Sequence, residues 1–288
     1  IPNTVVSDLG DVIFTNSNQS KPRKRKAPVF QTEIALYEKV EGREYDNELG
    51  ELKSVEHNEL LLSGAIFLAE KLTNVDAPIS PKTINTELGI AVNENPAGFT
   101  GKRRESAICL YGVGTGGSGN NFNSIVPVEF NERIIKNFIP IRRVATEKDL
   151  SEVERQKYFM KKVDNGYYEY YLKKFEIEPA IKVEYDEPGS PSVPPNYDEA
   201  PADKVINTYM QFNIKISKYD VREFFKTKGG GIENARINTL GLFFGYPESS
   251  GGSTEYKGVQ LFSKLNFNNE PLDNETKELN IIYKIYIG

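Results

Sequence analysis

Residues 206–216 read INTYMQFNIKI, and apolar side chains recur at every second position along this stretch. Successive side chains of a β-strand point to opposite faces of a sheet, so a period of two predicts a long strand with one buried face. Antiparallel sheets with one covered face typically show this alternation. The stretch therefore predicts an amphipathic strand near the centre of an antiparallel sheet.

Similar patterns recur along the chain. Residues 237–244 form an apolar run, and residues 258–267 and 279–287 alternate like the first stretch. Upstream, two Tyr-rich and Phe-rich segments flank Asn165-Gly166, the preferred two-residue loop of a type I′ hairpin. Shorter strands are predicted within residues 31–45, at 107–111 and at 139–144, the last as an edge strand because Pro140 cannot donate a ladder hydrogen bond.

Three short helices are predicted between these strands. The first covers about residues 55–72, with Ser54 as its N-cap. A second is expected near 148–157, where Thr146 and Asp149 resemble a capping box. Asp220 is expected to cap a third helix at 221–228, which Gly229-Gly230-Gly231 would end.

These patterns predict an α+β, mainly β fold: an antiparallel sheet or sandwich with a few short helices, an extended N-terminal arm and long loops. The arm is expected to cover residues 1–30. Residues 31–288 would form one β-rich body, interrupted by an acidic, Pro-rich loop at 186–203.

The amino-acid composition argues against several functional classes of protein. The 288 residues include 36 Lys and Arg against 41 Asp and Glu, a net charge of −5, which argues against a protein that coats nucleic acid over its whole surface. No run of about 20 apolar residues is present, so the sequence predicts no membrane-spanning helix. The single Cys109 cannot form an internal disulfide and is expected to be a buried small hydrophobe, which favours a reducing cytosol. His57 is the only histidine, and nothing in the sequence pairs it with Cys109.

A basic block is the one candidate contact site. Five of the six residues from 21 to 26 are basic: Lys21, Arg23, Lys24, Arg25 and Lys26. A block of like charges cannot pack on itself, so it is either solvated or docked on a partner or nucleic acid. Both interpretations remain open from the sequence.

The glycine-rich stretch Gly112–Gly119 raises an alternative, a nucleotide-binding enzyme. Residues 112–117 fit G-x-G-x-x-G, but the residues that follow are poor helix formers and the neighbouring strands look antiparallel, so a flexible surface loop is the favoured interpretation. Acidic clusters such as Asp46-Asn47-Glu48 lack the spacing of a calcium loop. We therefore expect no cofactor, no metal and no enzymatic activity.

The last third of the chain carries a family resemblance. Residues 231–242, GIENARINTLGL, together with 261–267 and 279–287, resemble the neck, head–tail connector and tail-completion proteins of tailed bacteriophages. The resemblance is one of pattern and transfers no catalytic residue.

That resemblance implies a structural subunit of the virion, assembled in the host cytoplasm as a homo-oligomeric ring at the head–tail junction. Expected partners are portal, neck, tail or sheath subunits, with non-specific contact to packaged DNA and no membrane. A baseplate or tail-terminator position is the alternative.

Overall fold

The computed structural model describes residues 3–6, 12–15, 32–56, 59–78, 83–89, 102–119, 124–185, 206–250 and 253–287. Within them lie β1 (Asn3–Val6), β2 (Val12–Thr15), β3 (Thr32–Val40), β4 (Glu51–Glu56), β5 (Glu59–Leu60), β6 (Ala107–Gly114), β7 (Phe138–Ile139), β8 (Arg142–Ala145), β9 (Tyr158–Asp164), β10 (Tyr167–Lys174), β11 (Ile177–Tyr185), β12 (Ile206–Ile216), β13 (Arg236–Ser250), β14 (Ser253–Pro271) and β15 (Lys277–Tyr286). The α-helices are α1 (Leu62–Thr73), α2 (Ile84–Leu88), α3 (Glu152–Arg155) and α4 (Arg222–Thr227).

The smaller of the two main sheets is built around the opening sequence stretch. Its order is β11-β12-β15-β3-β4, and every pairing is antiparallel. Directly opposite residues lie on the same face, so Phe212 beside Tyr283 and Ile214 beside Ile281 form its buried side. The predicted strand at 206–216 and its buried face are confirmed.

The larger sheet runs β5-β14-β13-β6-β10-β8, with β9 added on β10 and β7 on β6. Its centre is the long β13–β14 hairpin, which contains the predicted strands at 237–244 and 258–267. The predicted edge strand at 139–144 is wrong as one element. Pro140 divides it into β7, which pairs with β6, and β8, which pairs with β10.

The Asn-Gly hairpin is confirmed. Asn165 and Gly166 have φ values of 44° and 78°, and Tyr167 pairs with Asp164 across the turn. Both central residues of a type I′ turn need positive φ, which Asn and Gly tolerate better than other residues.

Aromatic rings connect the two sheets and form the centre of the core. The ring centroid of Phe175 lies 5.5 Å from Tyr111 on the larger sheet and 5.4 Å from Phe212 on the smaller one. Phe212 in turn contacts Tyr283 edge to face at 6.3 Å. The two antiparallel sheets thus share one hydrophobic core, which confirms the mainly β fold with a few short helices.

Helix α1 differs from the prediction at its start. Ser54 lies in β4, where it pairs with Leu36, and the helix begins only at Leu62. The Leu61 amide donates to the Phe262 carbonyl oxygen at 3.3 Å, and a Cβ at Gly64 would overlap that same oxygen. Glycine therefore lets α1 approach the backbone of β14 and cover that side of the larger sheet.

The second predicted helix is also shorter than expected. Residues 146–148 form a 3₁₀ turn, and α3 begins after Ser151, whose side chain and that of Glu154 make the capping box. Asp149 is not part of this capping box. It accepts hydrogen bonds from the Tyr170 hydroxyl at 2.8 Å and from Lys161 Nζ at 3.1 Å. These two partners lie 21 and 12 positions away in the sequence.

Asp220 does not cap α4, contrary to the prediction. Its side chain is fully buried and accepts hydrogen bonds from Lys173 Nζ at 2.9 Å, the Tyr158 hydroxyl at 2.7 Å and the Ser217 amide at 2.7 Å. Tyr158 and Lys173 belong to the larger sheet, whereas Asp220 follows β12 of the smaller one. The carboxylate thus ties the two sheets together. The predicted end of α4 is confirmed, because the Gly229 amide donates to the Phe224 carbonyl oxygen at 2.9 Å.

The same segment is tied to the smaller sheet by Arg222. Its guanidinium donates to the carbonyl oxygens of Asn274 and Lys277, both at 2.7 Å. Between the two charged residues, Val221 has a φ of 70° and its amide donates to the Ile141 carbonyl oxygen at 2.6 Å. A β-branched residue at positive φ is strained, so surrounding contacts must hold it. We call residues 217–222 the inter-sheet joint.

The predicted arm and loop are described only in part. Within residues 1–30, β1 and β2 form a two-stranded antiparallel sheet. The basic block at 21–26 and the Pro-rich loop at 186–203 lie outside the described residues.

Lys173→Met should lower the free energy of unfolding by about 3–5 kcal/mol, because it leaves the Asp220 carboxylate buried without its cation. Adding Asp220→Asn should recover most of that loss. The adjacent Lys174→Met is the matched control: its ion pair with Glu178 is exposed, so it should cost less than about 1 kcal/mol. Urea unfolding measures all of these values, and a single Lys173→Met variant as stable as the wild type would contradict the role of the joint.

Stability should also fall at alkaline pH. Burial and the Asp220 carboxylate raise the pKa of Tyr158, and burial raises that of Tyr256 to about 12. Burial alone would lower the pKa of Lys173, but the charge of Asp220 outweighs this effect, so the pKa of Lys173 is raised. Groups with raised pKa values stabilise the fold fully below their unfolded values, about 10 for these types, and lose that contribution as pH rises further.

We therefore expect a melting temperature that does not respond to these groups near neutrality and drops above about pH 10. Tyrosinate absorbance at 295 nm, recorded with the melts, should rise together with unfolding. Full ionisation of all tyrosines in a still-folded chain would contradict the burial described above.

Candidate functional site: exposed edges and projections

Strand β4 is an open edge of the smaller sheet. Among the described strands, only β3 pairs with it. A register shift between Leu36 and Tyr37 brings Leu52 opposite Tyr37 and Val55 opposite Ala35, so Leu52 and Val55 share the outer face. Their side chains are 51% and 50% exposed. The edge thus combines unpaired backbone with solvent-exposed apolar side chains.

The opposite edge of this sheet, β11, is also exposed but interrupted. Ile177 and Ile181 are 61% and 73% exposed. Pro179 lies between them, and the register against β12 shifts at this place. A proline limits strand addition along an edge, because it has no amide to donate to the added strand.

The acidic turn between β3 and β4 covers residues 41–51. It carries five acidic residues and one basic residue, all exposed: Glu41, Glu44, Asp46, Glu48, Glu51 and Arg43. The Asn47 side-chain oxygen accepts from the amides of Leu49 and Gly50 at 2.9 and 3.0 Å and holds the turn together. Gly50 has a φ of 104° and lies against the Glu38 carbonyl, a position that excludes a side chain.

The β13–β14 hairpin extends beyond the larger sheet. Strand β6 pairs with β13 only as far as Gly245. Beyond that residue, β13 and β14 pair only with each other among the described strands. We call residues 246–257 the ribbon. An open cleft of about 380 Å³ lies between the ribbon and the β9–β10 region, lined by Gln156, Phe159, Lys174, Pro247, Ser249, Thr254 and Tyr256.

Aromatic, hydroxyl and charged side chains line this cleft. Tyr256 packs edge to face on Phe159 at 4.8 Å, and Lys174 pairs with Glu178 at 3.1 Å. Burial raises the pKa of the nearby Cys109 thiol to about 12, so it is protonated at neutral pH and a poor nucleophile. His57, the other member of the pair weighed from the sequence, lies outside the described residues.

The tyrosines of the Asn-Gly hairpin contact groups of the same chain. The Tyr170 and Tyr171 hydroxyls donate to Asp149 and Glu169, both at 2.8 Å. Lys161 Nζ lies 3.3 Å from the ring centroid of Tyr168. These contacts stabilise the sheet and hold the tyrosine rings in place on it.

The glycine-rich stretch is neither a surface loop nor a nucleotide fingerprint in context. Gly112 and Gly114 lie in β6, which is antiparallel to β10, β13 and β7, and described residues 115–119 contain no helix. A Cβ at Gly117 would overlap the Asn238 carbonyl oxygen. Buried Asn238 donates to Ser118 Oγ and Asn269 Oδ1, both at 2.8 Å. Gly112 and Gly114 thus belong to a strand and Gly117 is needed for close packing, so the loop begins later than the sequence predicts.

The described residues hold no group of three or more His, Cys, Asp or Glu side chains placed to bind a metal ion. No helix in the described part of the chain is long and apolar enough to cross a membrane. The candidate contact residues Lys21, Arg23, Lys24, Arg25 and Lys26 are among those the structure leaves out.

No family model, curated protein or solved structure matches the chain.

Sequence reasoning missed the β4 edge and the acidic turn. The apolar residues of β4, Leu52 and Val55, are three apart, which breaks the period of two unless a bulge is assumed. Asp46-Asn47-Glu48 was weighed only as a calcium loop. The signal that could have revealed this site is the number of acidic residues in the segment just before β4.

Gly117→Ala should destabilise the protein by about 1–3 kcal/mol, because the added methyl group has to displace buried backbone. Gly119→Ala, where the Cβ would meet only the Ser124 side chain, is the matched control and should cost less. Thermal melts without any added nucleotide measure both. Equal melting temperatures for the two variants would contradict the packing role of Gly117.

Proposed function

We propose that the protein is a non-enzymatic structural subunit that assembles with copies of itself into a ring. The observation that carries this proposal is the pair of different exposed edges on opposite sides of one sheet, β4 and β11. Five strands at about 4.8 Å spacing set these edges roughly 19 Å apart. Both edges present apolar side chains that a lone subunit leaves in water.

The geometry of a ring requires two such surfaces. Head-to-tail contacts use different patches on each subunit and close when the rotation between subunits is right. A two-fold dimer would need only one self-complementary patch. Two different edges facing away from each other therefore favour a ring over a two-fold dimer.

The virion assignment rests on the sequence resemblance to tailed-phage neck, head–tail connector and tail-completion proteins. Its three segments fall in β13, β14 and β15 and the turn that leads into β13, so the resemblance concerns central strands of both sheets. We propose a position at the head–tail junction, with portal, neck, tail or sheath subunits as neighbours. A baseplate or tail-terminator position is the alternative within the same class.

The wild-type chain should sediment as a discrete multiple of 32.5 kDa at micromolar concentration. Negative-stain images should show closed rings of one diameter, because heterologous contacts of fixed geometry close at one subunit number. A strict 32.5 kDa monomer would contradict the proposal.

Antibody labelling of intact particles separates the two positions. Label at the junction of head and tail supports the neck assignment, and label at the distal tail end supports the baseplate alternative. Particles without the protein would contradict both.

A further inference from the structure

We propose that the N-terminal hairpin β1–β2 and the basic block of one copy dock on the β4 edge and the acidic turn of a neighbouring copy. The hairpin would extend the neighbour's five-stranded sheet, and the basic block would lie against the turn at residues 41–51. This inference rests on the proposed self-assembly and names the segment that makes the contact.

The β1–β2 hairpin would be stabilised by pairing with a further strand. Strands β1 and β2 pair only with each other among the described strands, over four residues each. An isolated two-stranded hairpin is at best marginally stable in water, and a third strand changes that. Its sequence is rich in β-branched and aromatic residues, Val5, Val6, Val12, Ile13 and Phe14, which favour strands.

Strand β4 is the edge best suited to receive it. Its six residues contain no proline, whereas β11 is interrupted at Pro179. On the larger sheet, α1 packs along β14, and β9 carries Met160 at a φ of 60°. The bulge at Lys53 alters the pairing of β4 with β3, but no proline removes an amide from this edge, and strand addition forms its main-chain hydrogen bonds with such amides.

Charge sets the direction of the arm on this edge. The basic block carries five positive charges in six residues, and the acidic turn carries five acidic residues against one arginine. Lys218 pairs with Glu41 at 2.9 Å, while Glu44, Asp46, Glu48 and Glu51 are exposed at the start of β4. Complementary patches of this kind fix register and suppress wrong partners.

The arm is long enough to reach a neighbour. Sixteen residues, from 16 to 31, separate β2 from β3. Fully extended, they span at most about 55 Å. That reach exceeds the roughly 19 Å width of the sheet, so a neighbour's β4 edge lies within range.

Charge-swapped chains test the proposal and separate docking between copies from docking within one copy. The arm-reversed variant carries Lys21→Glu, Arg23→Glu, Lys24→Glu, Arg25→Glu and Lys26→Glu. The turn-reversed variant carries Glu44→Lys, Asp46→Lys, Glu48→Lys and Glu51→Lys. In each variant the arm and the turn have the same sign of charge, so each alone should lose at least about tenfold in self-association by sedimentation.

A 1:1 mixture of the two variants should restore assembly to oligomers that neither variant forms alone, since every arm can then meet a turn of opposite charge on the other chain. Each variant should melt like the wild type in a dilute, dissociated sample, because all substituted positions in the turn are exposed. A control set of exposed substitutions elsewhere, Glu129→Lys, Glu147→Lys, Glu152→Lys and Glu233→Lys, should leave the wild-type mass unchanged.

Two results would overturn this inference and leave the proposed function standing. If the wild type assembles and neither reversal weakens it, other contacts hold the ring. If both reversals weaken assembly but the mixture stays monomeric, the arm docks on its own chain. A wild type that is monomeric at every concentration overturns both this inference and the proposed function.

Discussion

The fold depends on one buried ion pair. Lys173 and Asp220 are 1% and 0% exposed, and they join β10 of the larger sheet to the segment that follows β12 of the smaller one. Charges are stable in an interior only when they are paired and hydrogen-bonded. The Tyr158 hydroxyl and the Ser217 amide also donate to Asp220, and Lys173 Nζ also donates to the Lys215 carbonyl oxygen, so the pair has hydrogen-bond partners in both sheets.

Fixing the two sheets also determines which surfaces stay open. The aromatic contacts through Phe175 fill the space between the sheets, and α1 packs along β14. Both edges of the smaller sheet stay unpaired among the described strands, and of these two edges β4 contains no proline. Unpaired strand edges tend to add further strands, so proteins usually cover or distort them. An edge left open with apolar side chains and an acidic flank is what a specific partner strand requires.

Most of the sheet could be predicted because strand alternation is a local signal. The period of two at 206–216 and Asn165-Gly166 each predict their element without knowledge of the rest. The wrong predictions concern residues whose tertiary contacts outweigh the local sequence pattern. Asp220 binds Lys173 instead of capping a helix, Ser54 pairs in a strand, and Gly117 meets Asn238, a residue 121 positions away. The β4 edge was missed for the same reason, since its bulge is visible only beside β3.

Hydrogen–deuterium exchange on the assembled protein tests the central claim most directly. The account predicts that amides of β4, residues 51–56, exchange more slowly in the assembly than in a dilute monomeric sample, together with amides of residues 3–15. Amides of the ribbon at residues 246–250 and 253–257 should exchange alike in both samples. Equal exchange at β4 in the two states would contradict the claim that a neighbouring copy covers this edge.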